Sequence, residues 1–160
     1  MSEGVLVLGV GNILMGDEGV GVEVVLRLAD RLLPPGFTCL DGGTGSLVLL
    51  DPMLEADRVV LIDATADGQT VGSLERLRPR FSSDYPRRIT AHDIGLKDLL
   101  DVFYLLGKAP DVTLFTISIE FPQEVGVGLS EPLRAALPAV VERIHEALLD
   151  FPASLPAPDA

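Results

Sequence analysis

Val5-Leu6-Val7-Leu8-Gly9-Val10, leading into Gly11, Asn12 and Gly16, is the stretch whose reading decides the fold. A strand with one face in water alternates apolar and polar residues. A short unbroken apolar run reads as a strand covered on both faces, the pattern of a parallel sheet. After the glycine-bearing loop, Val20, Val24, Val25, Leu28 and Leu32 recur at helical spacing, and Pro34-Pro35-Gly36 stops that helix.

The same alternation continues along the chain. Phe37 to Leu40 reads as a second strand ending at Asp41, with Gly42-Gly43-Thr44 as the turn. Thr44 or Ser46 is placed to cap a helix carrying Leu47, Leu49, Leu50 and Leu54. Arg58 to Ile62 reads as a third strand ending at Asp63, and Val71 to Leu77 as another after the Asp67-Gly68 turn. Thr90 and Asp93 have capping-box spacing, so a helix is expected from about Ala91, burying Leu96, Leu99, Leu100 and Phe103. Val112 to Ile119 is a further buried strand. Ser130-Glu131-Pro132 opens a last helix with Leu137, Val141, Ile144 and Leu148 as its core stripe. Pro138 inside that stripe predicts a kink or a restart. The expectation is an α/β fold with three layers, a twisted and mostly parallel sheet between helices, in one domain over residues 1–150. Residues 151–160, rich in Pro and Ala, are expected to form a flexible tail.

The 160 residues suit one domain, and 48% of them are apolar, enough for a sizeable core. A formal net charge of −12 argues against nucleic acid or an anionic membrane as partner. Arg76, Arg78, Arg80, Arg87 and Arg88 are five of only twelve basic residues. They read either as a solvated strand edge or as a docking patch for an acidic segment. The single cysteine, Cys39, excludes an intrachain disulfide and a multi-cysteine zinc site, and reads as a small buried hydrophobe. The apolar run from Val5 to Met15 is too short to span a bilayer and no basic segment precedes it, so a cytoplasmic protein is expected.

In open α/β sheets, sites lie beyond the carboxyl ends of the strands. Acids follow three successive strands: Asp17 and Glu18, then Asp41, then Asp63. An unpaired charge directly after an apolar strand is costly, so such acids have a partner or a metal. His92 falls in the first turn of an expected helix, where the dipole disfavours the imidazolium and leaves the neutral, metal-binding form. Two carboxylates and one imidazole suit zinc or nickel with positions left open. Each residue also has a plainer reading: Asp17 as an N-cap, Glu18 as a dipole partner, Asp41 as the holder of the Gly42-Gly43 turn, Asp63 as a cap for the segment after it, His92 as an ordinary first-turn histidine. His145 reads as structural. Gly9-x-Gly11 after a strand leaves a dinucleotide-binding module open, with Asp41 on a ribose hydroxyl. Against it, Leu14 takes the third glycine's place, and Asp17 and Glu18 would repel a pyrophosphate.

Leu8-Gly-Val-Gly-Asn-Ile-Leu-Met-Gly-Asp-Glu-Gly-Val-Gly21 resembles the N-terminal signature of the hydrogenase maturation endopeptidases. Asp41-Gly-Gly-Thr44, Leu61-Ile-Asp63-Ala64, Ala91-His-Asp-Ile-Gly-Leu96 and Gly126-Val-Gly-Leu-Ser130 resemble its later blocks in order and spacing, over roughly residues 4 to 149. The resemblance implies removal of a C-terminal extension from the precursor of a nickel-iron hydrogenase large subunit after nickel insertion. It places the family's metal-binding residues on Glu18, Asp63 and His92, with the nickel supplied by the precursor and no organic cofactor. Phe81 to Arg88 belongs to none of its blocks and is a candidate for setting which precursor is accepted. Water is the expected nucleophile, with Asp17 or Asp41 as its base. A non-catalytic chaperone that only checks a partner's metal is the other reading that keeps this site.

Overall fold

The structure, a computed structural model, describes residues 4–44, 47–79, 101–107 and 111–151. In chain order they form β1 (Val5–Gly9), α1 (Val20–Ala29), β2 (Phe37–Asp41), α2 (Leu50–Glu55), β3 (Arg58–Thr65), β4 (Leu74–Leu77), β5 (Asp111–Ser118) and α3 (Glu131–Leu149). Short 3-10 turns, Gly16–Gly19 and Leu47–Leu49, precede α1 and α2. Residues 101–105 are helical.

One sheet runs β2-β1-β3-β5-β4. Its first four strands are parallel, and β4 pairs antiparallel with β5 at the edge. Successive side chains in a strand face opposite ways, and the core divides accordingly. Val5, Val7, Val60, Ile62, Phe115 and Ile117 pack under α1 and α3. Leu6, Leu8, Val59, Leu61, Val112 and Leu114 pack with Leu49, Met53 and Phe103 on the other face. Helical segments thus cover both faces, the layering expected from the unbroken apolar runs.

Several boundaries differ from the expectation. The third strand continues past Ile62 to Thr65, because β5 keeps pairing with it as far as Ser118. The fourth starts at Leu74, since Val71 to Ser73 form a turn whose backbone is tied to Ser118. α1 ends at Ala29, which leaves Leu32 exposed beyond it. In α2 Met53 is buried and Leu54 is exposed, and no side chain among the described residues caps the helix start. Ser46 lies outside the described residues, as do Leu96, Leu99 and Leu100; Phe103 is buried as expected. α3 runs unbroken through Pro138. Leu137, Val140 and Val141 on either side of that proline are buried against the sheet, and this packing outweighs the roughly 3 kcal/mol an internal proline costs.

Phe151, read from sequence as the first residue of the tail, is half-buried. It stands edge-on to Phe37 with ring centroids 6.1 Å apart, and Arg58 and Arg76 stack on its ring at 5.0 and 5.5 Å. Residues 152–160 lie outside the described set. Arg78 pairs with Asp111 at 2.7 Å. The described members of the arginine run are therefore spent on the fold, while Arg80, Arg87 and Arg88 lie outside the described residues. His145 Nε2 lies 2.8 Å from the Leu32 carbonyl oxygen and ties α3 to the end of α1.

Candidate active site

The glycines of the first loop serve close packing. A Cβ on Gly9 would stand 2.2 Å from the Gly21 carbonyl oxygen, and one on Gly21 would stand 2.3 and 2.4 Å from those of Ile62 and Val10. The start of α1 therefore rests backbone to backbone on β1 and β3. A Cβ on Gly11 would meet the Glu18 carbonyl oxygen at 2.2 Å. Gly9 and Gly11 are thus used against the protein's own main chain, which removes the basis for reading them as a dinucleotide cradle.

This packing sets the 3-10 turn Gly16–Gly19 against β3 at the carboxyl edge of the sheet. Glu18, carried by that turn, is only 3% exposed. β1 stops at Gly9, opposite Ile62, and the Val10 N–H still donates to the Ile62 carbonyl oxygen at 3.0 Å. Asp63 is the next residue, so it begins the part of β3 that β1 no longer flanks. The next N–H of β3 on that side belongs to Ala64, and it donates to Asp63 Oδ1 at 2.8 Å. The carboxylate thereby replaces the missing strand. Asp63 is 1% exposed.

By alternation Asp63 shares its face with Val59 and Leu61, so the apolar stripe of β3 turns polar at Asp63 and Thr65. β5 does the same, passing from Leu114 to Thr116 and Ser118, which stand in register with Asp63 and Thr65. All four are buried. The Thr65 hydroxyl lies in this patch with no hydrogen-bond partner among the described residues, and an unsatisfied buried polar group calls for a structural or functional reason. Thr65, Thr116 and Ser118 were not among the residues singled out from sequence. The switch from Leu114 to Thr116 at period two was their available signal.

The remaining acids are placed as follows. Asp17 is 2% exposed, and both its oxygens are taken by one residue. Ser130 N–H donates to Oδ1 and Ser130 Oγ to Oδ2, each at 2.6 Å. The Asp17 N–H donates to Gln123 Oε1 at 3.0 Å. Asp17 thus fastens Ser130, the residue just before α3, and does not cap its own helix. Asp41 is exposed, and its Oδ1 accepts the Gly43 N–H at 2.9 Å, the turn-holding role open to it from sequence. Among the described residues no three histidine, cysteine or acidic side chains gather closely enough to hold a metal. His92 lies outside the described residues. Burial pushes the Cys39 thiol above its ordinary pKa, which keeps it protonated and a poor nucleophile at neutral pH. No helix among the described residues is long and apolar enough to cross a membrane.

Two buried acids, Glu18 and Asp63, thus lie on adjoining elements at one edge of the sheet. Known proteins share the fold. The family model described as hydrogenase maturation protease matches residues 22–147. The hydrogenase 2 maturation protease of Escherichia coli (strain K12) is 32% identical over 147 residues, covering 90% of this chain and 90% of that one. The hydrogenase expression/formation protein HoxM of Azotobacter vinelandii is 34% identical over 139 residues, 83% of this chain, and the chain spans 66% of that relative's length. The solved structure of the hydrogenase maturating endopeptidase HybD from E. coli superposes with a TM-score of 0.77 at 32% identity, covering 91% of each chain. The chain belongs to the hydrogenase maturation protease family.

Proposed function

We propose that this chain is the endopeptidase that removes the C-terminal extension from the large-subunit precursor of a nickel-iron hydrogenase, and that it acts in the cytoplasm on precursor already loaded with nickel. In this reading Glu18, Asp63 and His92 complete the coordination of the precursor's nickel and so align the bond to be cut. The nickel is part of the substrate, not a resident cofactor, and no organic cofactor is involved. The observation that carries the reading is the pairing of two nearly inaccessible carboxylates, Glu18 and Asp63, on adjoining elements of one sheet edge.

Water is the nucleophile, and Asp41 is the better of the two candidate bases. Asp17 is committed to Ser130 through both oxygens, whereas Asp41 is solvent-exposed at the end of β2. The test is to mix the protein with precursor, with and without nickel, and weigh the products by mass spectrometry. Cleavage of the nickel-loaded form alone is expected. His92→Ala should abolish it without changing the circular dichroism spectrum, and undiminished cleavage by that variant removes His92 from the site.

A further inference from the structure

Beside the turn that carries Glu18 lies a groove of about 340 Å³ between the 11–19 loop, α1 and the 127–129 loop. Its lining is mostly apolar and unusually open to water: Val127 is 82% exposed, Ile13 53% and Leu26 51%. Val125 and Leu14 add exposed apolar surface next to it. Neighbouring exposed apolar residues of this kind mark a contact surface rather than chance scatter.

The groove walls are fixed in place. The Gly126 N–H donates to the Leu14 carbonyl oxygen at 2.8 Å, and the Gly16 N–H to the Gly126 carbonyl oxygen at 2.9 Å. The Asp17–Ser130 pair fastens the other end of the same loop. Exposed apolar side chains on an anchored frame make a preformed receptor.

We infer that this groove holds an uncharged, apolar peptide segment of the precursor next to the bond that is cut. The inference rests on the endopeptidase reading above. Two observations select this occupant. The charged residues of the lining balance, Glu23 and Asp41 against Arg27 and Arg134, in a chain whose net charge is −12. The groove is therefore locally neutral, and it suits a neutral segment better than a basic or acidic one. Its floor also includes Gly16 and Gly19, the two ends of the turn that bears Glu18. A peptide seated there delivers its neighbouring residues to the acid rim.

Leu26→Asp and Val127→Asp each place a carboxylate on the groove at a solvent-exposed position, so folding is retained. Leu149→Asp, near the far end of the 19-residue α3, is the control. The probe is the nickel-loaded large-subunit precursor, followed both by steady-state cleavage and by biolayer interferometry. Each groove variant should raise KM and Kd at least tenfold with kcat within a factor of two, and the control should change neither. Unchanged KM and Kd in the groove variants, with wild type cleaving normally, overturns the groove and leaves the endopeptidase reading standing. Binding weakened by the groove variants without any cleavage by wild type keeps the groove and overturns the endopeptidase reading. A wild-type dimer in light scattering that the groove variants dissociate, with KM unmoved, makes the groove an interface between copies and overturns the inference. A wild type that neither binds nor cuts the precursor overturns both.

Discussion

Asp63 has two tasks that a substitution can separate. Its Oδ1 accepts the Ala64 N–H left over where β1 ends, and in the proposed reaction its carboxylate meets the nickel. Asn keeps an acceptor oxygen, and Ala keeps none. Asp63→Asn is expected to stay within about 1 kcal/mol of wild-type stability, while Asp63→Ala loses roughly 1–3 kcal/mol by orphaning a buried donor. Both should lose cleavage. Urea denaturation beside a cleavage assay separates the effects, and full activity in the Asn variant would show that the negative charge is not used. At this scale the sequence was partly legible. Acids at strand ends and the turn at Asp41 could be read locally, because both depend on neighbours a few residues away. The partner of Asp17 could not, since Ser130 lies 113 positions along the chain and nothing in either residue's vicinity announces the pairing.

The seat of α1 belongs to the scale of elements. Gly21 brings the helix start within van der Waals contact of two strand carbonyls, from β3 and from the residue after β1. No side chain there can swing aside to make room, so Gly21→Ala must push the helix off the sheet. Overpacking of this kind costs about 1–3 kcal/mol or more. The expected outcome is a lower urea midpoint together with reduced cleavage, because the Glu18 turn moves with the helix. A variant as stable and as active as wild type would show that the contact is looser than its geometry. The elements themselves were legible wherever burial has a clear period. β1, β3, β5 and α3 follow from unbroken apolar runs or from a stripe at helical spacing, and each was placed within a few residues. Errors fell where tertiary partners decide: β3 gained three residues from β5, and α3 kept its course through Pro138 because the sheet holds both sides of it.

For the molecule as a whole, twelve excess negative charges on 160 residues oppose the compact state. Salt screens charges that lie farther apart than about 10 Å at 0.1 M. Thermal unfolding monitored by circular dichroism should therefore show Tm rising by a few degrees between 10 mM and 300 mM sodium chloride. A flat or falling Tm would mean that local ion pairs such as Arg31–Glu142 and Arg78–Asp111 outweigh the general repulsion. Fold class and family were readable from sequence because they follow from layers and ordered blocks. The groove was not, since its walls join residues 13–27 to residues 127–134, which only folding brings together. Finally, the step between β1 and β3 has a thermodynamic corollary. The main-chain donor exposed at that step is satisfied inside residues 63 and 64, so the backbone there needs no visitor to complete it. In the proposed reaction an arriving ion then finds the Asp63 carboxylate already oriented, and little of its conformational freedom remains to be surrendered on capture.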